Sequence, residues 1–257
     1  RVQGGTSMDC MMGIDVGTSG VKVLAVSGEG RVVASATVEY PLRSPRPGWA
    51  EQDPRTWWEA TVQAIRECVD SYGGENDIVA VGLTGQMHGS VFLDGRGQVL
   101  RHAILWCDGR TEKQCQEITD VVGADRLVDL TLNRALAGFT APKVLWLREN
   151  EPETYADVRK LILPKDYVRY RLTAAYATDV ADASGTLLFD VAKRRWSDEM
   201  LEALDVPREW LAECFESPEV VARVSPEAAE VTGLAAGTPV VAGAGDQAAG
   251  AVGNGIV

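Results

Sequence analysis

Histidine is nearly absent from the sequence: among 257 residues there are two, His88 and His102. A zinc hydrolase or a Ser-His-Asp enzyme, each built around imidazole, has little to draw on. The five cysteines, Cys10, Cys68, Cys107, Cys115 and Cys214, are odd in number, scattered and without a Cys-x-x-Cys pair. That pattern argues against a disulfide framework and a zinc site, and it fits a reducing, cytoplasmic setting. No basic run interrupts a formal net charge of −12, so nucleic acid and anionic membrane surfaces are poor partners. Long apolar runs of about eighteen residues are missing too, so no membrane-spanning segment is expected. Arg1 to Ser7 lacks the apolar core of a secretion signal and reads as a cloning remnant before Met8, with residues 1–10 as remnant and start.

What is present is a chain with 46% hydrophobic residues, enough for one large core or two modest ones. Its most informative stretch is the first. Met11–Val16 and Val21–Val26 are apolar, β-prone runs flanking Gly17-Thr18-Ser19-Gly20, which predicts a hairpin with Asp15 at the end of its first strand. Gly17 and Gly20 are expected to take unusual backbone angles that aim successive N–H groups at one point; Thr18 and Ser19 add hydroxyls and Lys22 a positive charge. Such a cup suits phosphate, and a carboxylate beside it suits hydrated magnesium. The plainer reading, a turn that only reverses the chain, stays open on this stretch alone. The pattern is neither a Walker loop nor a dinucleotide fingerprint.

Arg31–Glu39 adds a third strand. Pro41, Pro45 and Pro47 make Tyr40–Gln52 read as extended and exposed, with Trp49 either covering the core edge or lining a cleft. Asp53-Pro54 opens a helix that runs to about Tyr72 and stops at Gly73-Gly74. Asp77–Leu83 is a strand, and Thr84–Ser90 a polar turn that offers Gln86, Met87 and His88 together, before a further strand at Val91–Leu93. After the apolar Ala103–Trp106, Asp108 and Arg110 are either a polar pair at a cleft or a helix cap with a solvated arginine; that stretch alone favours the cap. Helices follow at Glu112–Val122, Pro142–Glu149, Pro152–Val158 and Lys165–Leu172, with a strand at Lys160–Leu163. Thr178–Gly185 reads as a structured loop before a strand at Thr186–Phe189, and Ser197 starts another helix. Near the end, the strand Thr238–Ala242 turns through Gly243-Ala244-Gly245 into a small-residue helix. Asp246 lies at that helix's N-terminus, as a cap or as a carboxylate that a ligand can approach.

Read in order, four motifs resemble the FGGY family of carbohydrate kinases: Gly13-Ile14-Asp15-Val16-Gly17-Thr18-Ser19-Gly20-Val21-Lys22; Gly85-Gln86-Met87-His88-Gly89; Trp106-x-Asp108-x-Arg110-Thr111; and Gly245-Asp246-Gln247-Ala248-Ala249-Gly250-Ala251. The resemblance implies an α/β, actin-like ATPase (ribonuclease H-like) domain with a mixed β-sheet flanked by helices, over residues 11–257. It implies ATP and Mg2+ as cofactors and a sugar as substrate. The Gln-Met-His string points to members acting on D-xylulose over those acting on glycerol, whose turn carries Arg and Glu. By the same resemblance Asp15 would help hold magnesium, and Thr18, Ser19 and Lys22 would face the phosphates. Met87 and His88 would line the sugar site, and Asp246 with Gln247 would touch the ketose. Asp246 would also be the general base for the sugar's terminal hydroxyl as that hydroxyl attacks the γ-phosphoryl group.

Family members are about twice this length, so the chain is expected to be the sugar-binding N-terminal domain, its ATP-binding C-terminal partner lying outside it and its own turnover low. The resemblance also admits a homodimer. Competing readings are a kinase for another ketose, a polyol or an aldonate, a non-catalytic sugar-binding module, and an actin- or chaperone-like ATPase. The Gln86-Met87-His88 and Gly245-Asp246-Gln247 segments speak against the last.

Overall fold

The structure is a computed structural model that describes residues 9–72 and 78–256. The expected remnant at Arg1–Ser7, the helix stop at Gly73-Gly74 and Asp77 lie outside the described residues. The chain opens as an antiparallel meander of β1 (Cys10–Val16), β2 (Gly20–Ser27) and β3 (Val32–Glu39). Period-two alternation fixes its register: Cys10, Met12, Ile14 and Val16 point to one buried face with Val21, Val23 and Ala25. A one-residue slip would carry all of them into solvent.

After the short β4 (Glu51–Gln52), Asp53 accepts a hydrogen bond from the Arg55 N–H at 3.0 Å and starts α1 (Pro54–Tyr72), which lays Trp57, Trp58 and Ile65 into the core against β2 and β3. β5 (Ile78–Gly85) then enters beside β1 as its parallel neighbour. Next come β6 (Val91–Leu93), β7 (Ala103–Ile104) and a helical layer of α2 (Glu112–Val122), α3 (Ala124–Thr131), α4 (Thr140–Asn150) and α5 (Pro152–Asp157). Further along lie β8 (Lys160–Ile162), α6 (Pro164–Thr173), β9 (Ala177–Asp179), α7 (Val180–Ala183), β10 (Phe189–Asp190) and β11 (Arg195–Trp196). α8 (Asp198–Leu204), β12 (Glu213–Phe215), β13 (Val220–Arg223), α9 (Pro226–Thr232), β14 (Pro239–Val241), β15 (Ala244–Gly245) and α10 (Asp246–Gly253) complete the described chain.

The main sheet is mixed and seven-stranded, in the order β13-β14-β5-β1-β2-β3, with β15 also paired to β5. Its central strands β14, β5 and β1 run parallel, so their carboxyl ends open on one side, where α/β sheets form ligand crevices. One apolar cluster lies between this sheet and α1, α6 and α9; a second lies among α2, α3, α4 and α8. No helix among the described residues is long and apolar enough to cross a membrane.

Three local expectations differ from the structure. The proline-rich Tyr40–Gln52 is not exposed throughout, because Tyr40, Ala50, Glu51 and Gln52 are buried by hydrogen bonds and ion pairs from distant residues. Thr178–Gly185 is not a loop: it holds the end of β9 and all of α7, with Asp179 capping α7 through the Asp182 N–H. The strand expected at Thr186–Phe189 shrinks to Phe189–Asp190, since Leu187 takes a left-handed φ of 62° that no strand accommodates.

Candidate functional site

The β1–β2 turn is tight, the Gly17 N–H donating to the Gly20 carbonyl at 3.0 Å. Neither glycine lies in the left-handed region, which corrects the expectation of unusual angles at both. Gly20 is needed for room: a Cβ there would sit 2.7 Å from the Val38 carbonyl oxygen of β3. Lys22 stands directly across from Asp15 in the antiparallel pair, and both side chains line the same cleft. Ser19 and Lys22 are exposed. Thr18 is committed to its neighbours, its hydroxyl receiving the Trp106 indole N–H at 3.0 Å and lying 3.3 Å from Gln86 Oε1.

Gln86 is also spoken for. It is buried, and its amide donates to the Gly17 carbonyl and to Gln52 Oε1, so it braces the turn from behind. Gln52 in turn donates to the Thr18 carbonyl at 2.7 Å and accepts the Trp57 indole N–H at 3.0 Å. Met87 and His88, by contrast, are half-buried at the front. Met87 packs so closely on Gly245 that a Cβ there would lie 2.6 Å from the Met87 Cγ. His88 does the same on Gly185, where a Cβ would lie 2.3 Å from its Cε1.

The fold therefore carries the Gln-Met-His turn onto the residue before Asp246. His88 itself has a left-handed φ of 64°, tilts on Phe139 at 4.5 Å and places Nδ1 2.9 Å from the Gly185 carbonyl. A carbonyl only accepts, so Nδ1 carries the proton and Nε2 keeps a lone pair for an incoming donor. Burial pushes the His88 pKa down to about 4, the Gly185 bond opposing and the Lys143 charge adding to the fall.

That depression has a sign. The folded chain takes up the His88 proton less readily than the unfolded one, whose histidine titrates near 6.5. The associated stability is complete above that value and is lost as pH falls through the window from about 6.5 to about 4. Between pH 7.5 and 5.0 the wild type is expected to lose about 2 kcal/mol more than a His88→Asn variant, measured by urea unfolding at both pH values. Equal losses would show that His88 titrates normally.

Asp246 occupies the first position of α10, with Gly245 as the capping residue, so its carboxylate is not the helix cap. It is half-buried, and Gln247 beyond it is exposed. Asp15 senses Asp246: burial raises the Asp15 pKa from its ordinary value, the Asp246 charge raises it further, and Lys22 opposes. Asp15 Oδ1 and the hydroxyl of Thr84, its register neighbour on β5, are buried without hydrogen-bond partners. These groups lie at the floor of an open cleft of about 1020 Å³. Gly13–Asp15, Gly82–Thr84 and Gly243-Ala244 form its base, and Ser184 and the α10 residues Ala248, Ala249 and Val252 its walls.

The Asp108 and Arg110 question resolves toward structure. The Arg110 side chain is 1% exposed, pairs with Asp108 at 2.7 Å and Glu51 at 2.8 Å, and stacks 3.6 Å from the Trp49 ring centre, while Asp108 accepts the Ala50 N–H. The solvated arginine expected from the local sequence is thus overturned by long-range partners. Trp106, Lys143, Thr140, Phe139 and Gly185 are site neighbours that the motifs alone did not single out as functional. A second buried charge cluster lies behind the site. The Lys165 ammonium sits 2.6 Å from Asp166, 2.6 Å from Asp179 and 3.1 Å from Asp182, and Arg169 pairs with Asp166. The three carboxylates converge as metal ligands do, but the ammonium lies among them.

A mixed sheet flanked by helices, with a carboxylate-bearing hairpin at its cleft and a second carboxylate near enough to raise the first one's pKa, defines an actin-like ATPase domain. The chain belongs to the FGGY family of carbohydrate kinases, whose N-terminal domain matches residues 10–253. It is 46% identical to a xylulose kinase of Escherichia coli over 96% of this chain and 50% of that protein. It is 42% identical to a xylulose kinase of Bacillus subtilis over 97% of this chain and 50% of that protein. The structure of a xylulose kinase from Rhodospirillum rubrum superposes with a TM-score of 0.92 at 30% identity, over 96% of this chain and 51% of that one. The chain thus spans about half the length of the curated relatives it matches.

Proposed function

We propose that this chain is the sugar-binding half of a xylulose kinase, which transfers the γ-phosphoryl group of ATP to D-xylulose to give D-xylulose 5-phosphate. The observation that carries the reading is the packing of Met87 on Gly245, the residue before Asp246, and of His88 on Gly185, with the Asp246 charge felt at Asp15. Met87 supplies an apolar wall, and His88 Nε2 accepts a sugar hydroxyl. Asp246 takes the proton from the terminal hydroxyl as that oxygen attacks phosphorus, and Gln247 reaches the ketose from the rim. Ser19 and Lys22 present a hydroxyl and a charge toward the phosphates, with Thr18 keeping the turn in shape between them.

The orphaned, buried Asp15 Oδ1 and the adjacent Asp246 charge fit a divalent cation, and Asp15 would hold magnesium there. Bound magnesium supplies charge neutralisation for the transferring phosphoryl group. The adenosine pocket belongs to residues outside this chain, so the isolated chain is expected to bind ketose weakly, ATP hardly at all, and to turn over poorly, because closure between two domains completes such a site.

Calorimetric titration of the chain with D-xylulose, D-ribulose, xylitol, glycerol and gluconate tests the reading. D-xylulose should bind best, and Gly185→Ala, whose new methyl group displaces His88, should weaken it at least about tenfold, or about 1.4 kcal/mol. Preference for another sugar would reassign the substrate within the family. Binding indifferent to Gly185→Ala, or none at all, would remove the site from this location. A purely sugar-binding module would show the same binding but no turnover in any longer form of the protein.

A further inference from the structure

Lys143 is fully buried in α4, a helix whose residues from Thr140 to Leu147 are all buried. Among the described residues its ammonium has no carboxylate within ion-pair distance. Its hydrogen bonds go to two carbonyls, that of His88 at 2.8 Å and that of Gly138 at 2.7 Å. A buried cation without a paired carboxylate is costly, and a core position in an apolar helix gives no packing reason for one. The His88 carbonyl also accepts the Thr140 hydroxyl at 3.1 Å, so two side chains of α4 hold one carbonyl. That carbonyl belongs to a residue in the left-handed region, a conformation a histidine keeps only when its surroundings impose it. Gly138, the other acceptor, lies beside Phe139, whose ring packs on the His88 imidazole.

We propose that Lys143, assisted by Thr140, is the positioning residue of the sugar site: by clamping the His88 and Gly138 carbonyls it locks the Met87-His88 turn. The lock holds the imidazole against the Gly185 carbonyl and turns its bare Nε2 toward the ketose. Lys143 touches no substrate in this account; it acts through His88. The charged and titratable groups that face it are Asp108, Cys107 and Arg110 from the segment after β7. Burial pulls the Lys143 pKa down to about 7, with Asp108 and Cys107 opposing and Arg110 adding to the fall. The consequence for sugar affinity rests on the xylulose kinase reading; the state of the His88 ring does not.

Nitrogen-15 NMR of the imidazoles in the 257-residue chain reads the lock directly, because there are only two histidines and His102→Asn leaves the His88 signals alone. In the wild type at neutral pH, His88 should show a protonated Nδ1 and a bare Nε2. Lys143→Met should move the signals toward the Nε2-protonated form and weaken D-xylulose about tenfold, with circular dichroism unchanged. Thr140→Val removes one donor without changing any charge and should shift the tautomer the same way to a smaller extent. It decides the matter if Lys143→Met does not fold. Wild-type tautomer signals in a folded variant would overturn the proposal. Failure of the wild type to bind D-xylulose would count against the proposed function alone, since the tautomer comparison still judges the lock.

Discussion

Replacing Lys165 by methionine is expected to destabilise the chain by about 3–5 kcal/mol, a large part of the stability of an ordinary domain. The three carboxylates around Lys165 are buried, and among the described residues only Asp166 keeps another cation, Arg169. Removing the ammonium leaves Asp179 and Asp182 in the core without a counter-charge. Burial already holds the Asp182 carboxyl well above the ordinary carboxylate range, with Asp179 and Asp166 adding to the rise and Lys165 opposing it. Without Lys165 the protonated form of Asp182 gains further, so the deficit should shrink as pH falls and this carboxyl takes up its proton. Urea unfolding of wild type and variant at pH 7.5 and 5.5 checks both the size and the trend. A deficit under 1 kcal/mol, or one that grows with acid, would contradict the role given to the cluster.

Asp246→Asn should lower kcat by about 10²- to 10⁴-fold in any form of the protein that phosphorylates ketose, because the amide keeps the shape of the carboxylate but cannot accept the hydroxyl proton. KM for the sugar should move far less, since an amide still offers a hydrogen-bonding oxygen. A second signature accompanies it in the isolated chain. The Asp246 charge raises the Asp15 pKa, so the Asp15 carboxyl should titrate at lower pH in the variant, as followed by carbon-13 NMR of its side chain. A variant with kcat within tenfold of wild type would make Asp246 a binding group only.

The hairpin was legible because its alternation is local: each residue of Met11–Val16 and Val21–Val26 announces its face by its own chemistry. Asp246 at a helix N-terminus was legible for the same reason, from strand, glycines and alanines in succession. The long-range partnerships were not. Arg110 looks solvated beside Asp108 until Glu51 and Trp49 arrive from a segment whose prolines suggest exposure. Gln86 looks like part of an exposed turn until Gln52 and Gly17 claim its amide. Thr178–Gly185 is rich in small polar residues, and only the Lys165 charge explains why its aspartates go inside. Lys143 did leave a trace, as the one cation in the apolar run Thr140–Leu147, and a lysine there asks for a buried acceptor.

A crystal structure of this chain grown with D-xylulose decides whether the Met87-His88 turn and Asp246 face one ketose. The sugar should lie between these residues, with one hydroxyl within hydrogen-bond distance of His88 Nε2 and its terminal hydroxyl on the Asp246 carboxylate. A sugar bound elsewhere on the chain, with His88 and Asp246 both untouched, would place the ketose site away from this turn.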